Sequence, residues 1–208
     1  MTTPVRTRRD EQRARTRHEL LEAAQVVFAR QGYHATSVDD VAEAAGFTKG
    51  AVYSNFRSKE ELFLELLDRR IDRNVEALED VLLSSEASDR PQVLGEIRDS
   101  IGLVDREWFL LQTEFMLYAA RNEEVRERVA DRQRRTRERI TELVRTTLEE
   151  IGISEPRVPV DELAQLLLSA ASGLNHAGMV DDEVADRSGH LLTCLAELLL
   201  DAITPPEA

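Results

Sequence analysis

Only one cysteine, Cys194, occurs in the 208 residues, so no intrachain disulfide can form, and the chain suits a reducing compartment. Histidine is nearly as sparse. His18, His34, His176 and His190 never approach ligand spacing and none adjoins a cysteine, so no metal site is expected. Nine glycines and six prolines are few interruptions for this length, and they leave room for long regular elements. No apolar run approaches the length that crosses a bilayer, and the polar, arginine-rich N-terminus has no apolar signal core. The expectation is a cytoplasmic protein with no membrane partner. Gly-x-Gly, P-loop, Gly-x-Ser-x-Gly and His-Glu-x-x-His patterns are all missing. An enzymatic reading therefore has no residue to carry it, and no cofactor is implied.

What the chain does have is charge and helical periodicity. Hydrophobic residues make up 42 % and charged residues 32 %, a mixture that folds rather than staying disordered. Apolar positions recur every three to four residues over long stretches, which predicts an all-α fold. The net charge of -13 is unevenly placed. Residues 1–59 hold ten Lys and Arg against seven Asp and Glu, a net +3, which leaves -16 on the remainder. Arg6, Arg8, Arg9, Arg13, Arg15 and Arg17 crowd the first 17 residues, opposed only by Asp10 and Glu11. Such an arm is either a solubilising tail or a polyanion contact; on an otherwise acidic body it orients one end toward a polyanion.

The first helix is expected from about Asp10 to Gln31, with Leu20, Leu21, Ala24, Val27 and Phe28 as its buried stripe and Gly32 as its stop. Two short helices follow near 38–45 and 49–55. Ser58 with Glu61 reads as a capping box that opens a long helix through Leu62, Leu66, Ile71, Val75, Leu78 and Leu82. Continuous to Leu83, that helix has about 25 residues and spans roughly 37 Å. Further helices are predicted near 91–104, 106–120, 123–151, 160–178 and 184–203, about nine in all. The helix beginning near Glu107 is apolar on most sides and is expected to be sandwiched within the C-terminal body.

Residues 36–62 carry the most specific pattern. Val38, Val41, Ala42 and Ala45 share a helical face, and Gly46 can take a positive φ in the turn that follows. Thr48 is placed to cap a new helix in which Val52 and Phe56 face inward. Lys49, Gly50, Ala51, Tyr53 and Ser54 then remain outward. Small residues permit close approach and the others offer a cation, a phenol and a hydroxyl, a set that suits the DNA major groove. Beside such a module, the arginine arm is read as a minor-groove or phosphate contact. Lys59 opposes the dipole of the helix it opens, so a phosphate partner is the expected reason for it.

This spacing resembles the DNA-binding domain of the TetR family of bacterial transcriptional regulators. Thr36, Val41, Ala42, Ala45, Gly46, Thr48, Gly50, Tyr53, Phe56, Lys59 and Leu62 match the family pattern in order. Leu20, Ala24, Phe28 and Gly32 match its first helix. Asn55 departs from it, since His or Tyr is more usual there. The specific likeness covers about the first third of the chain. It implies a three-helix helix-turn-helix DNA-binding domain over 1–58 and a helical ligand-binding and dimerisation domain over 59–208. Residues and resemblance together place DNA contacts at Thr36, Ser37, Thr48, Lys49, Gly50, Ala51, Tyr53, Ser54, Asn55 and Lys59, and at Arg6, Arg8, Arg9 and Arg13 of the arm.

The resemblance further implies a homodimer on a palindromic operator and release by a small-molecule effector. The last two helices carry more apolar surface than one copy can bury, and Leu166, Ala170, Gly173, Leu174, Leu191, Leu195 and Leu198 are the expected interface. Trp108, Gln112, Phe115, Met116 and Tyr118 mix aromatics with polar groups in the manner of a ligand pocket, although aromatic stripes on helices usually pack cores. Arg132 and Thr136 interrupt an apolar line and either face a ligand or pair locally. Asn175 and His176 offer pocket hydrogen bonds, or else an interface histidine. Cys194, inside an apolar stripe, reads as a small core residue. The function expected is a ligand-responsive repressor; the alternative is a DNA-binding regulator that has no inducer or that activates.

Overall fold

Apolar residues at helical spacing produce helices throughout the computed structural model of the chain, which describes residues 8–84 and 105–203. In order these are α1 (Arg8–Ala35), α2 (Val38–Ala44), α3 (Lys49–Asn55), α4 (Lys59–Ser84), α5 (Arg106–Arg121), α6 (Glu123–Glu150), α7 (Val160–Gly178) and α8 (Asp182–Ile203). The fold is all-α, with eight helices among the described residues. The helix expected near 91–104 lies outside them. The stop expected at Gly32 is a break within α1: Gly32 has φ 80° and ψ 167°, and the chain resumes helical form to Ala35.

The described residues form two compact units, and the first is discontinuous in sequence: it contains the chain up to Arg69 together with Glu107–Val129. Its core joins Leu20, Leu21, Ala24 and Phe28 of α1 to Val41 and Ala42 of α2, Val52 of α3, Leu62, Phe63 and Leu66 of α4, and Leu111, Phe115 and Ala119 of α5. Tyr33 is the hub. Its ring meets Phe63 at 5.2 Å, Phe115 at 4.9 Å and Tyr118 at 5.2 Å between centroids, and stacks on Phe28 at 5.9 Å. Aromatic pairs in such edge and tilted arrangements add to the stabilisation that burial alone provides. Instead of lying within the C-terminal body, as its sequence suggests, the aromatic side of α5 packs in this unit, because its register matches Tyr33 and Phe63.

Of the described residues, the second unit contains 70–84, 105–106 and 130–203. Val75 of α4, Ile140 of α6 and Ala164 of α7 form one buried group, with Ile71, Leu78, Val144 and Leu168 against it. Leu148, Leu163 and Ile203 form a second, with Leu199 and Leu200 beside them. Arg139 of α6 pairs with Asp72 and lies 3.9 Å from Glu79, both on α4, and Arg70 lies 3.1 Å from Asp105. No helix among the described residues is long and apolar enough to cross a membrane.

The break in α1 is tied to α5. Glu114 Oε2 accepts from Tyr33 N at 2.8 Å, and a Cβ on residue 32 would sit 2.8 Å from the same oxygen. The conformation at Gly32 is one that essentially only glycine adopts. Gly32→Ala should therefore destabilise the protein by about 1–3 kcal/mol, read as a lower midpoint in urea unfolding; an unchanged midpoint would show that the turn relaxes freely.

Candidate nucleic-acid interface

Local hydrogen bonds define each end of the helix-turn-helix. Ser37 caps α2 reciprocally: its hydroxyl accepts from Asp40 N at 3.1 Å, and the Asp40 carboxylate accepts from Ser37 N at 2.7 Å. These bonds from Ser37 hold the Asp40 carboxyl below the usual carboxylate range. After α2, Gly46 takes φ 69° in the turn. Thr48 then caps α3, its hydroxyl accepting from Ala51 N at 3.2 Å. Val52 and Phe56 are 1 % exposed, so the inward side of α3 is closed. On its outward side Lys49, Gly50, Tyr53 and Ser54 are exposed.

Long side chains from α1 brace α3 from behind. Arg17 holds Glu65 through Nε at 2.8 Å and through Nη2, donates from Nη1 to the Asn55 carbonyl, and stacks 4.2 Å from the Phe56 ring centroid. Arg13 Nη2 reaches Ser54 O at 3.4 Å. Two arginines thus meet the carbonyls that the C-terminal end of α3 leaves without helical partners. On the other flank Lys59 Nζ donates to Tyr33 O and Thr36 O, each at 2.9 Å, and lies 3.4 Å from His34 O. The same ammonium sits 4.4 Å from the Tyr33 ring centroid, and burial lowers its pKa. This clamp gives a physical reason for a cation in the first turn of α4 other than the phosphate expected from sequence. The capping box expected at Ser58 is half formed: Ser58 Oγ accepts from Glu61 N at 3.2 Å, but the Glu61 carboxylate takes Arg57 N, one residue earlier.

The other expected DNA contacts are distributed as follows. Thr36 is buried and gives its hydroxyl to Gly32 O at 2.8 Å, so it shapes the turn. Ser54 Oγ donates to Ala51 O at 2.8 Å, and Asn55 Nδ2 donates to the same carbonyl at 2.9 Å. Lys49 Nζ is 2.7 Å from Asp39 Oδ2, which raises the lysine pKa. Arg8, Arg9 and Arg13 are exposed on the first turns of α1, and Arg6 lies outside the described residues.

Trp108, Phe115, Met116 and Tyr118 are brought together in the core of the first unit. Trp108 stacks on Phe63 at 6.1 Å, Phe115 is fully enclosed, and the Tyr118 hydroxyl donates to Glu60 at 2.8 Å; Gln112 is half-buried. Arg132, Thr136, Asn175 and His176 belong to the second unit. There Thr136 Oγ1 donates to Arg132 O at 3.1 Å, and His176 Nδ1 lies 2.8 Å from Ser172 O. Of the expected interface residues, Leu166 and Leu198 are 51 % and 67 % exposed. Gly173 is also exposed, and Ala170, Leu174, Leu191 and Leu195 are half-buried. Asp39, Asp40, Glu65 and Glu114 shape the site without having been singled out from sequence. The Ser-x-x-Asp spacing of Ser37 and Asp40 was a usable signal; the other three acidic residues answer partners on other elements.

An all-helical chain whose second and third helices form a capped, braced helix-turn-helix defines a DNA-binding regulator of transcription. A family model for bacterial regulatory proteins of the TetR family matches residues 20–66. A second, for the C-terminal region of BetI-type transcriptional repressors, matches residues 102–201. The chain is 30 % identical over 180 residues to the uncharacterized HTH-type transcriptional regulator YfiR of Bacillus subtilis, covering 82 % of this chain and 84 % of that one. It is 42 % identical over 74 residues to the transcriptional activator FasR of Mycolicibacterium smegmatis, 36 % of this chain and 32 % of that one. Against the transcriptional repressor KstR2 of Mycobacterium tuberculosis it is 48 % identical over 56 residues, 27 % and 28 % of the two lengths. Two solved structures show the same fold. A Rhodococcus transcriptional regulator superposes with a TM-score of 0.68 at 22 % identity, covering 91 % of this chain and 99 % of that one. FadR of Bacillus subtilis in complex with stearoyl-CoA gives 0.67 at 19 % identity, covering 90 % and 99 %. The chain belongs to the TetR family of bacterial transcriptional regulators.

Two measurements check the geometry of the interface. Arg17→Ala should cost about 2 kcal/mol, the scale of hydrogen bonds to charged groups, and Arg17→Lys should recover little of it, because a lysine cannot make the forked bond to Glu65 while also reaching Asn55 O. Urea unfolding of the two variants tests this, and full recovery by lysine would reduce Arg17 to a simple charge. The Ser37–Asp40 cap sets a pH dependence of definite sign. The folded Asp40 pKa lies below its unfolded value of about 3.9, so the carboxylate stabilises α2 fully above that pH and less as pH falls through the folded value. The protection of the Ser37 and Asp40 amides, taken as exchange relative to the unstructured peptide at the same pH, should fall on acidification below about pH 4, and Asp40→Asn should remove that loss.

Proposed function

We propose that this protein is a ligand-responsive repressor that binds a palindromic operator as a homodimer and is released by a small-molecule inducer. One observation carries the DNA-reading part: α3 presents Lys49, Tyr53 and Ser54 outward while Arg17 and Phe56 hold it from behind. A short helix fixed in this way can enter the major groove without reordering. Residues 1–58 serve as the DNA-binding domain, with the arm arginines on phosphates or in the minor groove, and residues 59–208 serve as the regulatory domain. Lys59 contributes by holding the turn before α2.

Dimerisation is supported by the exposed leucines of α7 and α8, Leu166 and Leu198 foremost, since apolar helix faces of this kind are covered in closed two-fold assemblies. Repression is supported by the BetI-type repressor description of the C-terminal match. A small-molecule effector is supported by the ligand held in the FadR structure, a likeness in fold; the pocket proposed here is lined by residues of α5 around Trp108. Effector binding would move α4 and take the two recognition helices away from the roughly 34 Å separation of successive major grooves. The work is cytoplasmic. The activator reading stays as the second one, because the match to FasR includes an activator among the relatives.

Sedimentation should give a dimer at micromolar concentration, and footprinting should give a two-fold symmetric site. Lys49→Ala and Tyr53→Ala should each weaken operator binding by roughly 5- to 150-fold, and deletion of Met1–Arg9 should chiefly flatten the salt dependence. A stable monomer, or unchanged affinity in both folded point variants, would overturn the proposal. An inducing compound should alter the emission of Trp108, the single tryptophan; release of DNA with unaltered emission would move the pocket elsewhere.

A further inference from the structure

The cation at the start of α3 already has an anionic partner. Lys49 Nζ and Asp39 Oδ2, 2.7 Å apart, join the first turn of α3 to the first turn of α2, and the two side chains remain 55 % and 60 % exposed. Local folding does not explain the pair. The α2 cap is made by Ser37 and Asp40, a lysine in the first turn of α3 opposes that helix's dipole, and an ion pair this exposed adds little to stability. Phosphate binding does not explain it either, because a carboxylate beside the lysine cancels the attraction that a cation contributes to DNA. What the pair does provide is a neutral unit with an ammonium donor and a carboxylate acceptor side by side. The major-groove edge of a G·C pair offers the complement: guanine O6 and N7 accept, and the adjoining cytosine N4 amino group donates.

We propose that Asp39 and Lys49 act as one donor–acceptor unit that reads a G·C base pair, with Asp39 setting sequence specificity. The inference rests on reading α3 as the groove-entering helix. A neutral unit releases no counterions, so it contributes to discrimination between sequences while the arm arginines supply salt-dependent attraction. Tyr53, one turn further along α3, is left for a neighbouring base or phosphate.

Selection of binding sites from a randomised duplex pool by the full-length protein, followed by affinities over a salt series, tests both levels. A wild-type pool with no shared site, or Lys49→Ala and Tyr53→Ala variants that both keep wild-type sites and affinity, removes α3 from the groove and takes this proposal with it. With α3 in place, Asp39→Ala and Lys49→Ala should each lose about tenfold discrimination at the same G·C pair of each half-site and nowhere else. Asp39→Ala should also bind unrelated DNA more tightly and steepen the log affinity against log salt slope by roughly 0.9 per protomer, as Lys49 turns to a phosphate. Asp39→Asn, which keeps the side chain's size, should shift the preferred cytosine to adenine, whose partner thymine still offers O4 to Lys49. An unchanged preference in Asp39→Ala and Asp39→Asn overturns the unit. So does a slope that flattens by roughly 0.9 per protomer in Lys49→Ala, since Lys49 would then be a phosphate contact.

Discussion

Lys59 places an ammonium where α1 runs out of donors. The carbonyls of Tyr33, His34 and Thr36 turn toward one point as the chain leaves α1 for α2, and Lys59 Nζ meets all three. Without a donor there, partly buried carbonyls would carry an unmet desolvation cost. The cation also lies over the face of Tyr33, so one charge caps a helix and steadies the aromatic hub of the same unit. Burial opposes that charge and lowers its pKa; three carbonyl bonds and the ring compensate. The direction of α2, and through the glycine turn that of α3, follows from this junction.

Around it, polar and apolar contacts are interleaved. Glu114 accepts from Tyr33 N, Glu60 accepts from the Tyr118 hydroxyl, and between them the rings of Phe63 and Phe115 close on Tyr33. The Tyr33 hydroxyl is buried without a hydrogen-bond partner among the described residues. Burial, reinforced by the negative charge of Glu60, pushes its pKa well above the ordinary phenol value. On the α3 side, Arg17 performs several tasks that separate residues could share: ion pair, carbonyl cap and cation–π contact.

Short-range chemistry makes the helix-turn-helix legible in the sequence. Thr48 caps a residue three positions on, Gly46 supplies its own positive φ, and Val52 and Phe56 reveal their side by spacing alone. The helical limits were likewise readable, because period and caps lie within a few residues of what they control. Contacts closed across 81 residues, as from Tyr33 to Glu114, or across 48, as from Arg17 to Glu65, leave no local trace. Lys59 shows the ambiguity most plainly: a cation in a helix's first turn signals an external anion or an internal cluster of carbonyls equally well. The α5 aromatics posed the same difficulty, since a ring reads alike in sequence whether it lines a cavity or fills a core.

The discontinuity of the first unit bears on how the chain is made. On the ribosome, residues up to Arg69 are complete before the sixty residues Arg70–Val129 that carry the other part of their core. At roughly 5–20 residues per second, those sixty residues take about 3–12 s to follow, while Tyr33 and Phe63 wait for Leu111, Phe115 and Ala119. The nascent segment meanwhile presents an aromatic face with no cover, the kind of surface on which chaperones act and premature association begins. The recognition helix is thus encoded early but finished late, and a chain cut short before α5 would own a reading motif that lacks its keystone.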